Sequence, residues 1–333
     1  MGGDRAPDEI VAGARRVAEQ TDIRVALVGP PGGMGDTGSL PCFPASEVIG
    51  MDDDPAQGVR RKKDSTLVRA AEAVRDGRAM AMVSAGNTGA TMASALLRMG
   101  RLPGVIRPAI ATPVPVFRRA WPTVLLDAGA NTECTPAMLI QFAQMGATFA
   151  TKRFGVEKPR VALLSIGEEK SKGTPLEKET HVLLADGAAG AGVDFVGNVE
   201  GRDFFEDVAD VVVTDGFTGN VALKTMEGAI RSLIGVLGEI LSRPQLKEAA
   251  EAIYPELLPV ASRLDPENTG GAMLLGVDGV CVISHGSSSA TAMVNAITMA
   301  HDLAVAGLVD TLATSVAGSA FEEGTAEDGP APG

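Results

Sequence analysis

The sequence predicts an α/β fold on a doubly wound, mostly parallel sheet, and three observations predict it. Short runs of Val, Leu, Ile, Met and Ala recur along the chain, each closed by a polar, glycine-rich turn and followed by apolar residues at helical spacing. Strand, turn and helix in repetition imply parallel strands joined by crossover helices. Five of the turns, at 84–89, 127–131, 167–173, 215–220 and 285–289, share a composition rich in Asp, Asn, Ser, Thr and Gly. In a parallel sheet such turns gather at the carboxyl ends of the strands, where these folds bind ligands. Finally, 333 residues that are 45% hydrophobic and 21% charged suit a soluble protein of one large α/β domain or two modest ones, with ample core.

In chain order, residues 7–19 form a helix with Ile10, Val11, Ala14, Val17 and Ala18 on one face, and 23–28 form a strand. The next loop contains a formal G-x-G-x-x-G at Gly33, Gly35 and Gly38. A dinucleotide fingerprint needs a helix opening at its end, which Pro41 and Pro44 oppose, and no Walker lysine is present, so a flexible loop is expected. Arg60, Arg61, Lys62 and Lys63 precede a helix at 65–76. Cations are poorly placed at a helix N-terminus. The run is therefore either a solvated helix start or a seat for an anionic ligand, extended by Arg98, Arg101 and Arg107.

Residues 79–83 lead as a strand into Ser84, Gly86, Asn87, Thr88 and Gly89, and Met92, Ala95, Leu96 and Met99 continue as a helix. Glycine backbone, free N–H groups and short polar side chains at a helix N-terminus suit a phosphate or carboxylate, though any βα turn favours the same residues. Strand 123–126 ends in Asp127 and Asn131, and Thr135-Pro136 starts a helix to about 145. Strand 160–166 runs into the turn carrying Lys170 and Lys172, before a helix from Pro175. Strands at 195–199 and 209–214 follow, the second ending in Asp215, Thr218 and Asn220 ahead of a long helix bearing Lys224. Strand 279–284 ends in His285 and Ser287 before the final helix, and the tail from about 319 is expected to be disordered. One turn of this kind is unremarkable; five, with Lys170, Lys172 and Lys224 alongside, point to one polar site for an anion.

A net charge of −13 argues against a nucleic-acid binder. Cys42, Cys134 and Cys281 lie far apart without a CxxC spacing, which favours a reduced cytoplasmic compartment and no structural zinc. With only His181, His285 and His301, a His-rich metal site is not expected, and neither is a cofactor. The N-terminus has no apolar signal core, and no apolar run approaches the roughly 20 residues of a membrane span. Any membrane contact is therefore expected to be peripheral.

The strings MGGDRAP, VRRKKDS, SAGNTGA, DAGAN, GNVEGRD, ADVVVTDGFTGNVALKTMEG and HGSS carry a resemblance. In these, in the same order and from about Met1 to Ala296, the chain resembles the PlsX family, the phosphate acyltransferases of bacterial phospholipid synthesis. The resemblance implies a three-layer α/β/α fold akin to phosphotransacetylases and isopropylmalate-type dehydrogenases, in one domain over 1–318 with a helical hairpin at about 221–260. It implies a homodimer that transfers a fatty acyl group from acyl carrier protein (ACP) to inorganic phosphate, giving acyl phosphate and free ACP. The acyl phosphate would then feed a membrane glycerol-3-phosphate acyltransferase.

On that implication, phosphate sits among Ser84, Gly86, Asn87, Thr88 and Gly89, neutralised by Lys224 or by Lys170 and Lys172. His285 and Asn220 polarise the thioester carbonyl or protonate the departing thiolate. Asp127 and Asp215 form turns or orient Lys and His, and Asn131, Thr218 and Ser287 complete the substrate-binding set. Orientation and charge stabilisation suffice for this chemistry without a metal or covalent intermediate. Arg60, Arg61, Lys62, Lys63 and Arg101 become a dock for the acidic carrier or the phosphate entrance. Cys134 is either a buried small residue or an acyl-enzyme thiolate, and the usual inertness of buried cysteine favours the first. His301 reads as structural or exposed, and His181 as remote from the chemistry.

The apolar stripe Ile230, Leu233, Ile234, Leu237, Ile240 and Leu241 reads as core or dimer interface, with a peripheral membrane tip as the second option. Three departures from the family pattern stand out. The chain begins at the Met of a turn that a strand normally enters, so either the start is set late or a strand is lost, leaving a hole in the sheet. Arg5 replaces a His, and Ser289 an acidic or amide residue. Two rival classes share the composition: a metal-dependent hydroxyacid dehydrogenase, for which no Asp cluster or nicotinamide fingerprint is evident, and a non-catalytic phosphate or acyl-phosphate binding protein.

Overall fold

The computed structural model describes residues 1–317, so the expected disordered tail lies outside the described residues. Helix α1 (Asp8–Gln20) is followed by strands β1 (Leu27–Gly29) and β2 (Cys42–Pro44), helices α2 (Pro55–Arg61) and α3 (Thr66–Arg75), and strand β3 (Ala81–Ser84). Then come α4 (Thr88–Arg98), β4 (Ala109–Val114), β5 (Thr123–Leu126), α5 (Pro136–Phe154), β6 (Arg160–Leu164), α6 (Pro175–Ala185), β7 (Asp194–Val199) and β8 (Val211–Val213). The chain continues through α7 (Gly216–Leu241), α8 (Lys247–Leu264), β9 (Ala272–Leu275), β10 (Val280–Ile283), α9 (Ala290–Val305) and α10 (Leu308–Ala317).

Eight strands form one sheet in the order β3-β10-β9-β4-β5-β8-β6-β7, while β1 and β2 pair separately. Side chains alternate strictly between two cores. Val124, Leu126, Val161, Leu163, Val211 and Val213 face α5, α6, α9 and α10, whereas Leu125, Ala162, Leu164 and Val212 face the layer of α2, α3, α4 and the start of α7. Burial on both faces explains why these strands read as continuous apolar runs. The result is the expected three-layer α/β/α arrangement.

The sheet is parallel between β3 and β10, and again along β5, β8, β6 and β7. Antiparallel pairings of β9 with β10 and β4, and of β4 with β5, reverse direction between the two blocks. The five polar turns therefore do not share one edge, as an uninterrupted parallel sheet would require. The turns after β3 and β10 leave one edge, and those after β5, β6 and β8 leave the other. Pro113 is tolerated inside β4 because β9 pairs only with Ala109–Ala111, so no ladder donor is missing there.

Beyond the outer side of β3 lies a cavity of about 700 Å³. Residues of β1, β3, α1, α3 and α9 line it, with Met1 at one end.

Candidate active site

At the edge where β3 and β10 end, the turn after β3 is held by its own side chains. Ser84 Oγ accepts from the Gly86 amide and from Thr91 Oγ1, both at 3.1 Å. Asn87 caps α4 by accepting from the Ala90 amide at 2.9 Å, and its Nδ2 donates to the carbonyls of Gly50, Met51 and Asp53 at 3.0–3.3 Å. Gly89 is obligatory in kind: a Cβ there would sit 2.7 Å from Pro55 at the start of α2. From the N-terminal turn, the Asp4 amide donates to the Gly286 carbonyl at 2.9 Å. His285 is exposed, with Nδ1 3.2 Å from Ser287 Oγ and Nε2 3.3 Å from Lys224 Nζ. Lys224 donates in turn to Glu227 at 2.8 Å.

At the opposite edge, Asp127 is fully buried and accepts at both oxygens. The amides of Ile110, Gly129 and Ala130 donate to Oδ1 at 2.9–3.1 Å, and the backbone and side-chain amides of Asn131 to Oδ2 at 2.8 and 2.9 Å. Burial pushes its carboxyl above the usual carboxylate range, and these donors oppose the shift. Asp215 caps α7 through the Thr218 amide at 2.9 Å, and Asn220 Nδ2 donates to the Ala128 carbonyl at 3.2 Å. A Cβ on Gly219 would fall 1.9 Å from the Asp127 carbonyl oxygen, and one on Gly216 2.6 Å from that of Asn131. Those contacts explain the glycines of T-D-G-F-T-G-N.

Helix α7 joins the two edges. It starts where β8 ends and runs back across the sheet. Asn220 and Lys224, four residues apart, share one helix face, with Glu227 a further turn along. A helix rises about 1.5 Å per residue, so eight residues carry the chain roughly the length of a four-residue strand. That puts Lys224 beside His285. Among the described residues no cluster of three or more His, Cys, Asp or Glu side chains could hold a metal ion.

A family model described as "Fatty acid synthesis protein" matches residues 1–310. The phosphate acyltransferase of Elusimicrobium minutum is 46% identical over 326 residues, spanning 95% of this chain and 94% of that one. The phosphate acyltransferase of Desulfitobacterium hafniense strain DCB-2 is also 46% identical, over 319 residues, spanning 93% and 94%. The chain belongs to this phosphate acyltransferase family, the PlsX family. Similar solved structures include the EutD phosphotransacetylase of Staphylococcus aureus (TM-score 0.59, 16% identity, 90% of this chain and 91% of that one) and a phosphotransacetylase of Streptococcus pyogenes (TM-score 0.59, 18% identity, 90% and 92%). A 4-hydroxythreonine-4-phosphate dehydrogenase of Klebsiella pneumoniae shares the fold at TM-score 0.50 and 12% identity, covering 89% and 95%. At these identities the likeness is one of fold.

Within this family member, the structure brings together Ser84, Gly86, Thr88, Gly89, Lys224, His285 and Ser287 on the edge where β3 and β10 end. It separates from them Asp127, Asn131, Lys170, Lys172, Asp215 and Thr218. Asp127 is not available to substrate, because burial and five donors occupy it; it shapes the turn. Asn131 is likewise committed to Asp127 and to the Pro108 carbonyl at 2.8 Å. The side chain of Asn87 caps α4 and ties down the 50–53 loop rather than pointing to a ligand. Lys170 and Lys172 are exposed on the far edge, so neither neutralises an anion at the Ser84 turn.

The basic run also differs from expectation. Arg60 and Arg61 fall in the last turn of α2, where the helix dipole favours cations, not at a helix start. Lys62 is tied to Asp53 Oδ2 at 2.6 Å and to the Val48 carbonyl at 2.8 Å. Arg101 donates to the Ile106 carbonyl and bridges to Val277. Arg60, Arg61 and Lys63 remain exposed without an ion pair among the described residues. Cys134 is half-buried, and burial first, then the charge of Asp127, pushes its thiol up to about 12. His181 bonds Asn198 at 2.8 Å beside the 167–173 turn, away from His285. Glu227 and the 50–53 loop were not legible as site components, although Lys224 and Glu227 stand at ion-pair spacing on a helix.

Proposed function

We propose that the chain transfers a fatty acyl group from acyl-ACP to inorganic phosphate, and that the Lys224–His285 pair opposite the Ser84 turn is where it does so. That pair is the observation that carries the reading, because it joins a cation and an imidazole on the sheet edge from which the turn into α4 also leaves. Phosphate seats against the amides at the start of α4 and Thr88, with Lys224 neutralising it. A hydrogen phosphate oxygen attacks the thioester carbon; the C–O bond forms and the C–S bond breaks. The departing thiolate takes a proton from the Lys224 ammonium, and the resulting amine takes the proton that the phosphate gives up, so no other reactant is needed. Asn220, one turn earlier on α7, already gives its Nδ2 to the Ala128 carbonyl at the far edge, so the step is proposed without it.

Arg60 and Arg61, in the last turn of the helix that abuts Gly89, and Lys63 just beyond it form the dock for the acidic carrier. The exposed apolar residues of α7 and α8, among them Leu233, Val236, Tyr254 and Leu258, are the homodimer interface. Sedimentation tests this: Leu233→Asp should give a monomer, and an unchanged dimer would contradict it. Acyl phosphate then passes to a membrane glycerol-3-phosphate acyltransferase, with only peripheral membrane contact. Among the described residues no single helix is long and apolar enough to cross a membrane.

The function is tested by incubating long-chain acyl-ACP and phosphate with the chain and trapping the product with hydroxylamine. Acyl hydroxamate formed only with phosphate and enzyme supports it. Phosphate bound without carrier release would turn the reading to a binding protein.

A further inference from the structure

Glu227 sits one turn beyond Lys224, with 16% of its side chain accessible against 47% for the lysine. Its Oε2 accepts from Lys224 Nζ at 2.8 Å, while the same Nζ is 3.3 Å from His285 Nε2. An ammonium only donates, so Nε2 must be the acceptor. The ring proton of neutral His285 then resides on Nδ1, which faces Ser287 Oγ at 3.2 Å. Two ammonium hydrogens are thus spoken for, and the third has no protein partner among the described residues.

We infer that Glu227 is a positioning residue: its carboxylate holds the Lys224 ammonium against Nε2 of His285, fixing both the aim of the free ammonium hydrogen and the Nδ1–H tautomer of the ring. The inference rests on the acyltransferase reading for its kinetic consequence and not for its structural one. A lysine on a flexible four-carbon stem has no preferred aim by itself. Ground-state attraction between Lys224 and phosphate survives loss of Glu227, because the charge stays nearby. Alignment of the proton with the departing thiolate does not survive, and alignment acts on turnover. An ordinary surface pair on a helix adds little to stability, so removing Glu227 should leave the fold intact.

The experiment compares Glu227→Ala and Glu227→Gln in the full chain. For Glu227→Ala, kcat should fall about 30-fold while the phosphate KM stays within about threefold. Glu227→Gln retains an acceptor oxygen at the same reach and should recover to within about threefold of the parent. The second readout is nitrogen-15 NMR of the histidine rings at pH 8. Three histidines are present, and His285→Gln assigns the relevant signal. The parent and Glu227→Gln should show the Nδ1–H tautomer, and Glu227→Ala should lose it. An unchanged tautomer in Glu227→Ala, or a kcat within twofold of the parent, would overturn the inference. Failure of the parent itself to release carrier with phosphate would count against the acyltransferase reading and leave the tautomer result to decide the role of Glu227.

Discussion

Lys224 Nζ lies 3.3 Å from His285 Nε2, although the strands that precede them, β8 and β10, run in opposite directions. The contact exists because α7 returns across the sheet before Lys224 is reached. A group at the far edge and a group at the near edge are thereby placed on one helix face, as Asn220 and Lys224.

If these two side chains act on the same proton and charge, their losses should not multiply. Lys224→Ala and His285→Ala should each lower kcat/KM by about 10²–10⁴. The double variant should be well short of the product of the two. Steady-state rates on acyl-ACP check this, and independent, multiplicative losses would place the residues in separate roles.

Cys134 should be dispensable. A thiol pushed up to about 12 is almost wholly protonated at pH 8 and makes a poor nucleophile. Cys134→Ser should keep activity within about twofold and iodoacetamide should label the position slowly. An acyl adduct on Cys134 in quenched reactions would contradict this.

Gly219 should tolerate no side chain. The 1.9 Å approach of a Cβ to the Asp127 carbonyl oxygen meets backbone, which cannot yield as the end of a flexible side chain would. Gly219→Ala should destabilise by more than about 3 kcal/mol, read as a shift of the urea midpoint. Gly228→Ala, with open space around its Cβ, is the matched control and should be nearly neutral.

Acid should weaken the fold through carboxylates held low. Asp64, bonded by Ser46 and Arg69, is lowered to about 2, and Asp207 is lowered chiefly by Arg160. For Asp210 burial raises the carboxyl, but its bonds to Arg160 and Trp121 win and the net shift is downward. Depressed carboxylates contribute stability above their unfolded value near 4 and lose it as pH falls toward the folded value. Urea midpoints should therefore drop between pH 4 and about pH 2, less steeply in Asp64→Asn. An equal slope in that variant would sink the assignment.

Much of this architecture was legible in the sequence. The helix starts read near residue 65, at Thr135-Pro136 and at Pro175 are those of the structure, where Ser65, Thr135 and Thr174 each accept from an amide of the first turn. Strand direction was not legible, because a polar glycine-rich turn looks the same at either edge of a sheet. The reversing strands are also the weakest patterns: β4 contains Pro113, and β9 is four residues following Gly270 and Gly271. The site was read by composition and so was drawn too wide. The burial of Asp127 and the pairing of Lys62 with Asp53, nine residues back, depend on the folded path of the chain, which local composition does not encode. The stripe on α7 is apolar as read, but none of its residues is buried in the single chain: Leu233 and Ile234 are exposed, and Ile230, Leu237, Ile240 and Leu241 are half-buried.

Phosphate-dependent release of free thiol from long-chain acyl-ACP, followed for the parent chain and for Lys224→Ala side by side, bears on the whole account at once. The parent should release thiol only when phosphate is present, and Lys224→Ala should release it at least about 100-fold more slowly. Release that ignores phosphate, or a Lys224→Ala rate equal to the parent's, would contradict it.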